Sequence, residues 1–324
     1  MQFSRRGLLT SIGLLSSLLV FAVPALADDA FVAVTAIVEH PALDAARDGV
    51  RDELKAAGYE EGKNLKFTYE SAQGNPGTAV QIAQKLVGES PTVIVPISTP
   101  SAQAVISATS DIPVVFTAVT DPLGAKLVAN LEKPGGNVTG MSDLSPLGKQ
   151  LDLIHQIVPG AKRIGVPYNP GEANAVTLVN LLKEKSAPLG LEIVEASASK
   201  SAEVQAAAQS LVGKVDVIYV PTDNTIVSAL EAVIGVGIDN KLPVFAGDTD
   251  SVKRGAIAAV GFDYYDVGRQ TGKIVVRILK GEKPGDIAVQ GIEITQLFVN
   301  PGAAQKMGIT IPEALIASAK EVVK

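Results

Sequence analysis

Short, nearly continuous apolar runs punctuate the chain. They cover 31–38, 92–97, 113–119, 215–220 and 242–246 and are rich in Val and Ile. Runs of this length predict strands buried on both faces. Between them, apolar positions recur at helical spacing. In 43–57 the polar positions include Asp44, Arg47, Asp48, Arg51 and Lys55, and Gly58 is placed to stop a helix there. The stretches 78–88, 100–108, 174–185, 202–213 and 225–238 predict helices in the same way. Strand–helix alternation builds βαβ units, and hence parallel sheets with helices on both faces.

The pattern occurs twice. The segment from Val93 to Pro100 leads through a helix to an X-Pro-apolar strand that ends at Thr120-Asp121. The segment from Val217 to Asn224 leads through a helix to Leu242-Pro243-Val244 and on to Asp248 and Asp250. Two similar α/β lobes account for this better than one large sheet.

The N-terminus reads as an address. Arg5 and Arg6 precede an apolar stretch, 8–23, that ends in Pro24-Ala25-Leu26-Ala27. A positive start, an apolar middle and an A-x-A-like end predict a secretory signal peptide, 1–27, cleaved near Ala27. The Arg pair also resembles a twin-arginine signal, with Thr10 where a Lys is usual. The choice between the Sec and twin-arginine routes stays open. No other apolar run is long enough to span a bilayer.

Composition narrows the chemistry. The 324 residues carry a net charge of −6, which argues against a nucleic-acid partner. With no Cys there is no disulfide, thiol nucleophile or Cys-ligated metal, and two His make a His-rich metal site improbable. An exported chain without Cys fits a bacterial periplasm, where disulfides are permitted but not required. No G-x-S-x-G elbow, G-x-G-x-x-G loop or Walker motif occurs. Gly135-Gly136 reads as a turn, His155 as a packing or surface residue on a helix, and His40 beside Glu39 as a poor metal site. The expectation is a binder, not an enzyme, with no cofactor and no metal.

Polar residues collect at the predicted strand ends, where open α/β sheets bind ligands. They are Glu39 and His40, Ser98 and Thr99, Thr120 and Asp121, then Tyr168 and Asn169, Thr222, Asp223 and Asn224, and Asp248. Hydroxyls and helix N-terminal N–H groups can hold a carboxylate, and an Asp can hold an ammonium. Facing lobes with this lining suit a small zwitterion. Taken singly, each residue could be an ordinary helix cap; the case rests on their shared location. The absence of Trp and the 4% aromatic content argue against a sugar-stacking cleft.

Several segments resemble the ABC-transporter substrate-binding family that includes tryptophan- and tyrosine-binding members. They are Glu39-His40-Pro41-Ala42-Leu43-Asp44, Phe116 to Pro122, Glu132 to Gly140, Tyr168 to Asn174, Val220 to Asn224, Phe245 to Asp248 and Asp263 to Gly272. The resemblance spans nearly all of the chain after the signal peptide. It implies an α/β fold of two similar doubly wound parallel-sheet lobes joined by a hinge, the periplasmic binding protein type 1 arrangement, with three crossings between the lobes. The N-terminal lobe would hold 30–139 plus 264–298, and the C-terminal lobe 140–263 plus 299–324. The ligand would sit in the cleft, closure would follow by a hinge motion, and an ABC permease in the inner membrane would receive the closed form. On that analogy Ser98, Thr99, Thr117 and Thr120 would hold a ligand carboxylate, and Asp223 or Asp248 the ammonium. Asn169 and Asn224 would add hydrogen bonds, and Glu39 and His40 would border the side-chain pocket. The implied ligand is an aromatic or other apolar amino acid, and the implied state a monomer. A binding protein or sensor for a different small organic solute is the alternative.

Overall fold

A computed structural model describes Met1, residues 29–292 and residues 294–323. The expected signal peptide lies outside the described residues, Met1 apart.

The first half alternates strand and helix up to β4, which β5 follows with no helix between. β1 (Ala30–Ala36), α1 (Pro41–Ala56), β2 (Leu65–Ser71), α2 (Pro76–Gly88), β3 (Val93–Ile97), α3 (Thr99–Ala108), β4 (Val114–Val119) and β5 (Val138–Ser142) follow one another. The second half continues with α4 (Leu147–Ile157), β6 (Arg163–Tyr168), α5 (Ala173–Ser186), β7 (Glu192–Ser197), α6 (Val204–Leu211) and β8 (Val217–Val220). Then come α7 (Asn224–Ser228), α8 (Leu230–Asp239), β9 (Val244–Ala246), α9 (Asp250–Lys253) and β10 (Ala258–Gly261). The chain closes with α10 (Tyr264–Leu279), β11 (Gln290–Gly291), β12 (Gln296–Val299), α11 (Pro301–Lys306), α12 (Glu313–Ser318) and β13 (Glu321–Val322). The stretch 225–238, read as one helix, is two, because Ala229 leaves the helical region at φ −121°, ψ 30°.

Two sheets repeat one topology. The first runs β2-β1-β3-β4-β5-β11, all parallel, and the second β7-β6-β8-β9, also parallel. A third sheet, β10-β12-β13, joins the edge beyond β9, where the Ile257 N–H donates to the Val244 carbonyl. Each main sheet therefore places its second strand outside its first and its third strand inside, the signature of a doubly wound fold. The apolar runs are its buried strands: every residue of β3, β4, β8 and β9 is buried.

Helices cover both faces of the first sheet. Ala46, Val50 and Leu54 of α1 and Val267, Ile274 and Val275 of α10 pack on one face, with Val32, Val34 and Ala36 of β1. Ala79, Ala83 and Leu86 of α2 and Ala102 and Val105 of α3 pack on the other, with Ala33 and Ile37. Between α1 and α10 the backbones nearly touch. A Cβ on Gly268 would sit 2.0 Å from the Ala46 carbonyl oxygen, and one on Gly49 would sit 2.2 Å from that of Tyr265.

The chain passes between the sheets after β5, after β10 and after β11. The lobe limits expected at 139/140 and 298/299 fall inside β5 and β12. Gly135 and Gly136, read as a turn, have φ of 71° and 62°, and the Gly135 N–H donates to the Gly285 carbonyl. No helix among the described residues is long and apolar enough to cross a membrane.

Candidate ligand-binding cleft

In the first sheet β1 and β3 are neighbours, but α1 and α3 leave them for opposite faces. In the second sheet β6 and β8 occupy the equivalent places. The crevice beyond the strand ends at such a switch point is where open α/β sheets bind ligands. The two crevices face each other.

Between them lies a narrow cavity of ≈ 20 Å³. His40, Ala42, Leu43, Ala118, Thr120, Asp143 and Tyr264 line it from one side. Asn174, Thr222, Asp223, Asn224, Val227 and Asp248 line it from the other. A wider outer cleft of ≈ 790 Å³ shares Asn224 and opens past α2 and α3 towards Asn169, Glu172 and Thr225.

Three carboxylates meet in the inner cavity, and no Lys or Arg among the described residues lines it. Asp223 caps α7 through the Ile226 N–H and also accepts from the Asn169 N–H. Burial first, and then the neighbouring Glu172, push its carboxyl well above the usual range. Asp248 accepts from the Ser251 N–H at 2.9 Å and from its hydroxyl at 2.6 Å, yet burial still pushes it up. Asp143 accepts from the Tyr264 hydroxyl at 2.5 Å and from Thr120 at 3.3 Å; it too is pushed up by burial. His40 is pushed down to about 3, by burial first and then by Arg254, so it is neutral at neutral pH. Buried carboxyls without a countercharge are costly when ionised. A cation entering this cavity meets acceptors that are already oriented.

The opposite polarity lies at the N-terminus of α3. Ser98, Thr99 and Ser101 are 2%, 1% and 1% exposed, and none of their hydroxyls has a hydrogen-bond partner. Ser98 sits at φ 77°, ψ 159°, a backbone conformation uncommon outside glycine. Buried hydroxyls without partners are rare enough to need an explanation. Beside the free N–H groups of a helix start they form a place for an anion. His40 Nδ1, Asn174 Oδ1 and Thr222 Oγ1, all lining the inner cavity, are also unpartnered.

Of the strand-end residues singled out in the sequence, the inner cavity gathers His40, Thr120, Thr222, Asp223, Asn224 and Asp248. Ser98 and Thr99 are buried at the start of α3, and Asn169 lines the outer cleft. Three others go elsewhere. Glu39 is exposed. Asp121 closes a turn by accepting from the Gly124 N–H. Thr117 faces α10, where its hydroxyl meets that of Thr271 at 2.8 Å. The cause is a register shift in β4 between Phe116 and Val119, with Ala118 at φ 53°. Simple alternation of sides fails across such a bulge.

Sequence reasoning missed Asp143, gave no role to Asn174 or Glu172, and carried Tyr264 only within the resembling segment Asp263 to Gly272. Asp143 follows β5, and Tyr264 follows Asp263, the N-cap of α10. Both stand where the chain crosses between sheets, and of the two only Tyr264 lies in a segment that the resemblance marks. Glu172 was visible as a residue of the Tyr168–Asn174 segment, but its role depends on partners about fifty positions away.

The geometry agrees with comparisons to known proteins. Residues 31–323 match the family described as ABC transporter substrate binding protein. The chain is 44% identical over 269 residues to a tyrosine-binding protein of Clostridioides difficile (strain R20291), covering 83% of this chain and 78% of that one. Its fold superposes on the crystal structure of an ABC domain in complex with L-Trp from Streptococcus pneumonia, with TM-score 0.88 and 36% identity, over 91% of this chain and 100% of that one. Against the ligand-free, open structure of a substrate binding protein with adhesive properties from Clostridium difficile, the TM-score is 0.68 at 40% identity, over 91% and 99% of the two chains. The family is one of binding proteins, not enzymes, and its fold is the expected pair of doubly wound lobes. The chain belongs to the ABC transporter substrate binding protein family.

Proposed function

We propose that this protein is the exported, solute-capturing component of an ABC importer, and that its ligand is an amino acid with an aromatic or other apolar side chain. The carrying observation is the polarity of the cleft. Three buried carboxylates line its inner cavity with no Lys or Arg among the described lining residues, and unpartnered buried hydroxyls, which line neither cavity, lie at the start of α3. An ammonium suits the first and a carboxylate the second. Ala42, Leu43, Ala118 and Val227 add apolar wall for a side chain. The relatives support this reading, since one is named for tyrosine and another was solved with L-Trp.

On this reading β1–β5 with α10 and β11 form one lobe, and the remaining elements form the other. Ligand holds the two together. Overlap with the L-Trp complex is better than with the open, ligand-free structure, although the latter is the more identical in sequence. The arrangement of lobes here is therefore read as the closed one. Residues 1–27 direct export to the periplasm, the mature protein acts as a monomer, and an inner-membrane permease receives the closed form.

The test is thermal denaturation of the purified mature protein, refolded to remove carried-over ligand, against amino acids, nucleosides, sugars and polyamines. A ligand that binds only the folded state at a hundred times its Kd adds about 2.7 kcal/mol of stability. A shift confined to tyrosine, tryptophan or phenylalanine is expected. A shift with another class and none with amino acids would overturn the ligand assignment and leave the fold intact.

A further inference from the structure

We propose that the hydrogen bond between Tyr264 and Asp143 couples ligand capture to the closed arrangement of the lobes, making Tyr264 a positioning residue of the cleft. The inference rests on the amino-acid reading above.

The two residues are 121 positions apart, and each stands at a different crossing between the sheets. Asp143 directly follows β5, and its N–H donates to the Val119 carbonyl at the end of β4. Tyr264 opens α10 three residues after the end of β10. Each is 3% exposed, and both line the inner cavity. At the wall of the cavity one Asp143 carboxylate oxygen thus accepts from Thr120 and the other from a hydroxyl carried by the second crossing.

The connection continues into the other lobe. The Thr249 hydroxyl donates to the carbonyl of Phe262, in the same crossing as Tyr264. Its neighbour Asp248 lines the cavity from the far side. The first crossing is tied as well. The Gln150 side chain, on α4, donates to the carbonyls of Gly247 and Val260, and its oxygen accepts from the Tyr219 hydroxyl. Both crossings are thereby held by bonds that converge on the end of β9.

The physical link is the charge on Asp143. Burial disfavours its ionised form, and no cationic side chain among the described residues lines the cavity to offset that. A ligand ammonium favours the ionised form. An ionised carboxylate accepts a phenol hydrogen bond roughly twice as strongly as a neutral carbonyl group does. Occupancy therefore tightens the bond that fixes the two crossings relative to each other. The cost of closing is then met at the hinge and not only by contacts of the ligand.

The experiment uses the refolded mature protein with L-tryptophan and L-tyrosine as probes. Small-angle scattering reads closure as the fall in radius of gyration at saturation, and calorimetry reads Kd. For Tyr264→Phe we expect Kd to rise about tenfold, the size of one lost charge-assisted hydrogen bond, together with a smaller fall in radius at saturating ligand. Tyr265→Phe, whose hydroxyl meets Asp52 on the surface, should behave as wild type and serves as the control. If Tyr264→Phe closes fully with wild-type Kd, the coupling is overturned while the binding function stands. If it fails to fold, Asp143→Asn provides the same test, since its amide cannot gain charge from the ligand. Full closure of Asp143→Asn would overturn the proposal. A wild-type protein that responds to neither probe overturns the amino-acid reading itself.

Discussion

The Glu172 carboxylate accepts hydrogen bonds from both the backbone N–H and the side-chain amide of Asn224, at 3.1 and 2.5 Å. It also accepts from the Thr225 N–H and hydroxyl and from the Asn174 amide. One side chain, 6% exposed, thus fixes the loop after β6 to the start of α7. Glu172→Ala removes the acceptor and leaves several buried donors unpaired. We expect a loss of about 3 kcal/mol, measured by urea denaturation. Ligand affinity should fall as well, because Asn174 and Asn224 both line the cavity.

The hydroxyls at the start of α3 should behave in the opposite way. Ser98 and Thr99 make no side-chain hydrogen bond, so removing their hydroxyls deprives the folded chain of nothing. Ser98→Ala is expected to change stability by less than about 0.5 kcal/mol and to weaken amino-acid binding about tenfold. Unchanged Kd by calorimetry would remove Ser98 from the carboxylate site.

Acid should destabilise the fold through His40. Its folded pKa is pushed down to about 3, below the unfolded value of 6.5. Between these two values the unfolded chain binds a proton that the folded chain does not. Stability therefore rises with pH across this window and is lost as pH falls through it. We expect about 2–3 kcal/mol to disappear between pH 6.5 and pH 4 on this account. His40→Asn should flatten that part of the stability profile measured by denaturation at each pH.

Ligand affinity should also fall with acid, by a different route. Burial raises Asp143, Asp223 and Asp248 in the cleft, and an ammonium favours their ionised forms. Binding then releases protons, so Kd rises as pH drops below neutral. The slope is about one decade per pH unit for each proton released. Calorimetry in buffers of different ionisation enthalpy counts the protons. No release would show that the ammonium does not meet these carboxyls.

Packing of α10 on α1 sets a limit on substitution. A Cβ at Gly268 would lie 2.0 Å from the Ala46 carbonyl oxygen, which is backbone and cannot rotate away. Gly268→Ala should cost about 3 kcal/mol or more by forcing the helices apart. It should also weaken closure, because α10 carries Tyr264 at its first turn.

Local pattern was enough to locate most elements. Buried strands announce themselves as Val- and Ile-rich runs because burial on both faces disfavours polar side chains there, and amphipathic helices announce themselves through their period. The predicted run 31–38 became β1, Ala30–Ala36, and 100–108 became α3, Thr99–Ala108. The break at Ala229 and the bulge at Ala118 left no such trace, since each is fixed by what packs against it.

For the site the division is equally physical. The sequence by itself determined a two-lobed α/β binder whose polar residues gather at strand ends, and it supplied His40, Thr120, Thr222, Asp223, Asn224 and Asp248 for the cavity. Only the tertiary structure decided that Thr117 turns to Thr271, that Glu39 faces solvent, and that Asp143 and Tyr264 meet across two crossings. Strand-end position follows from neighbours in the chain. Which way a side chain points, and which residue 121 positions away it meets, follows from how two sheets and the hinge between them pack.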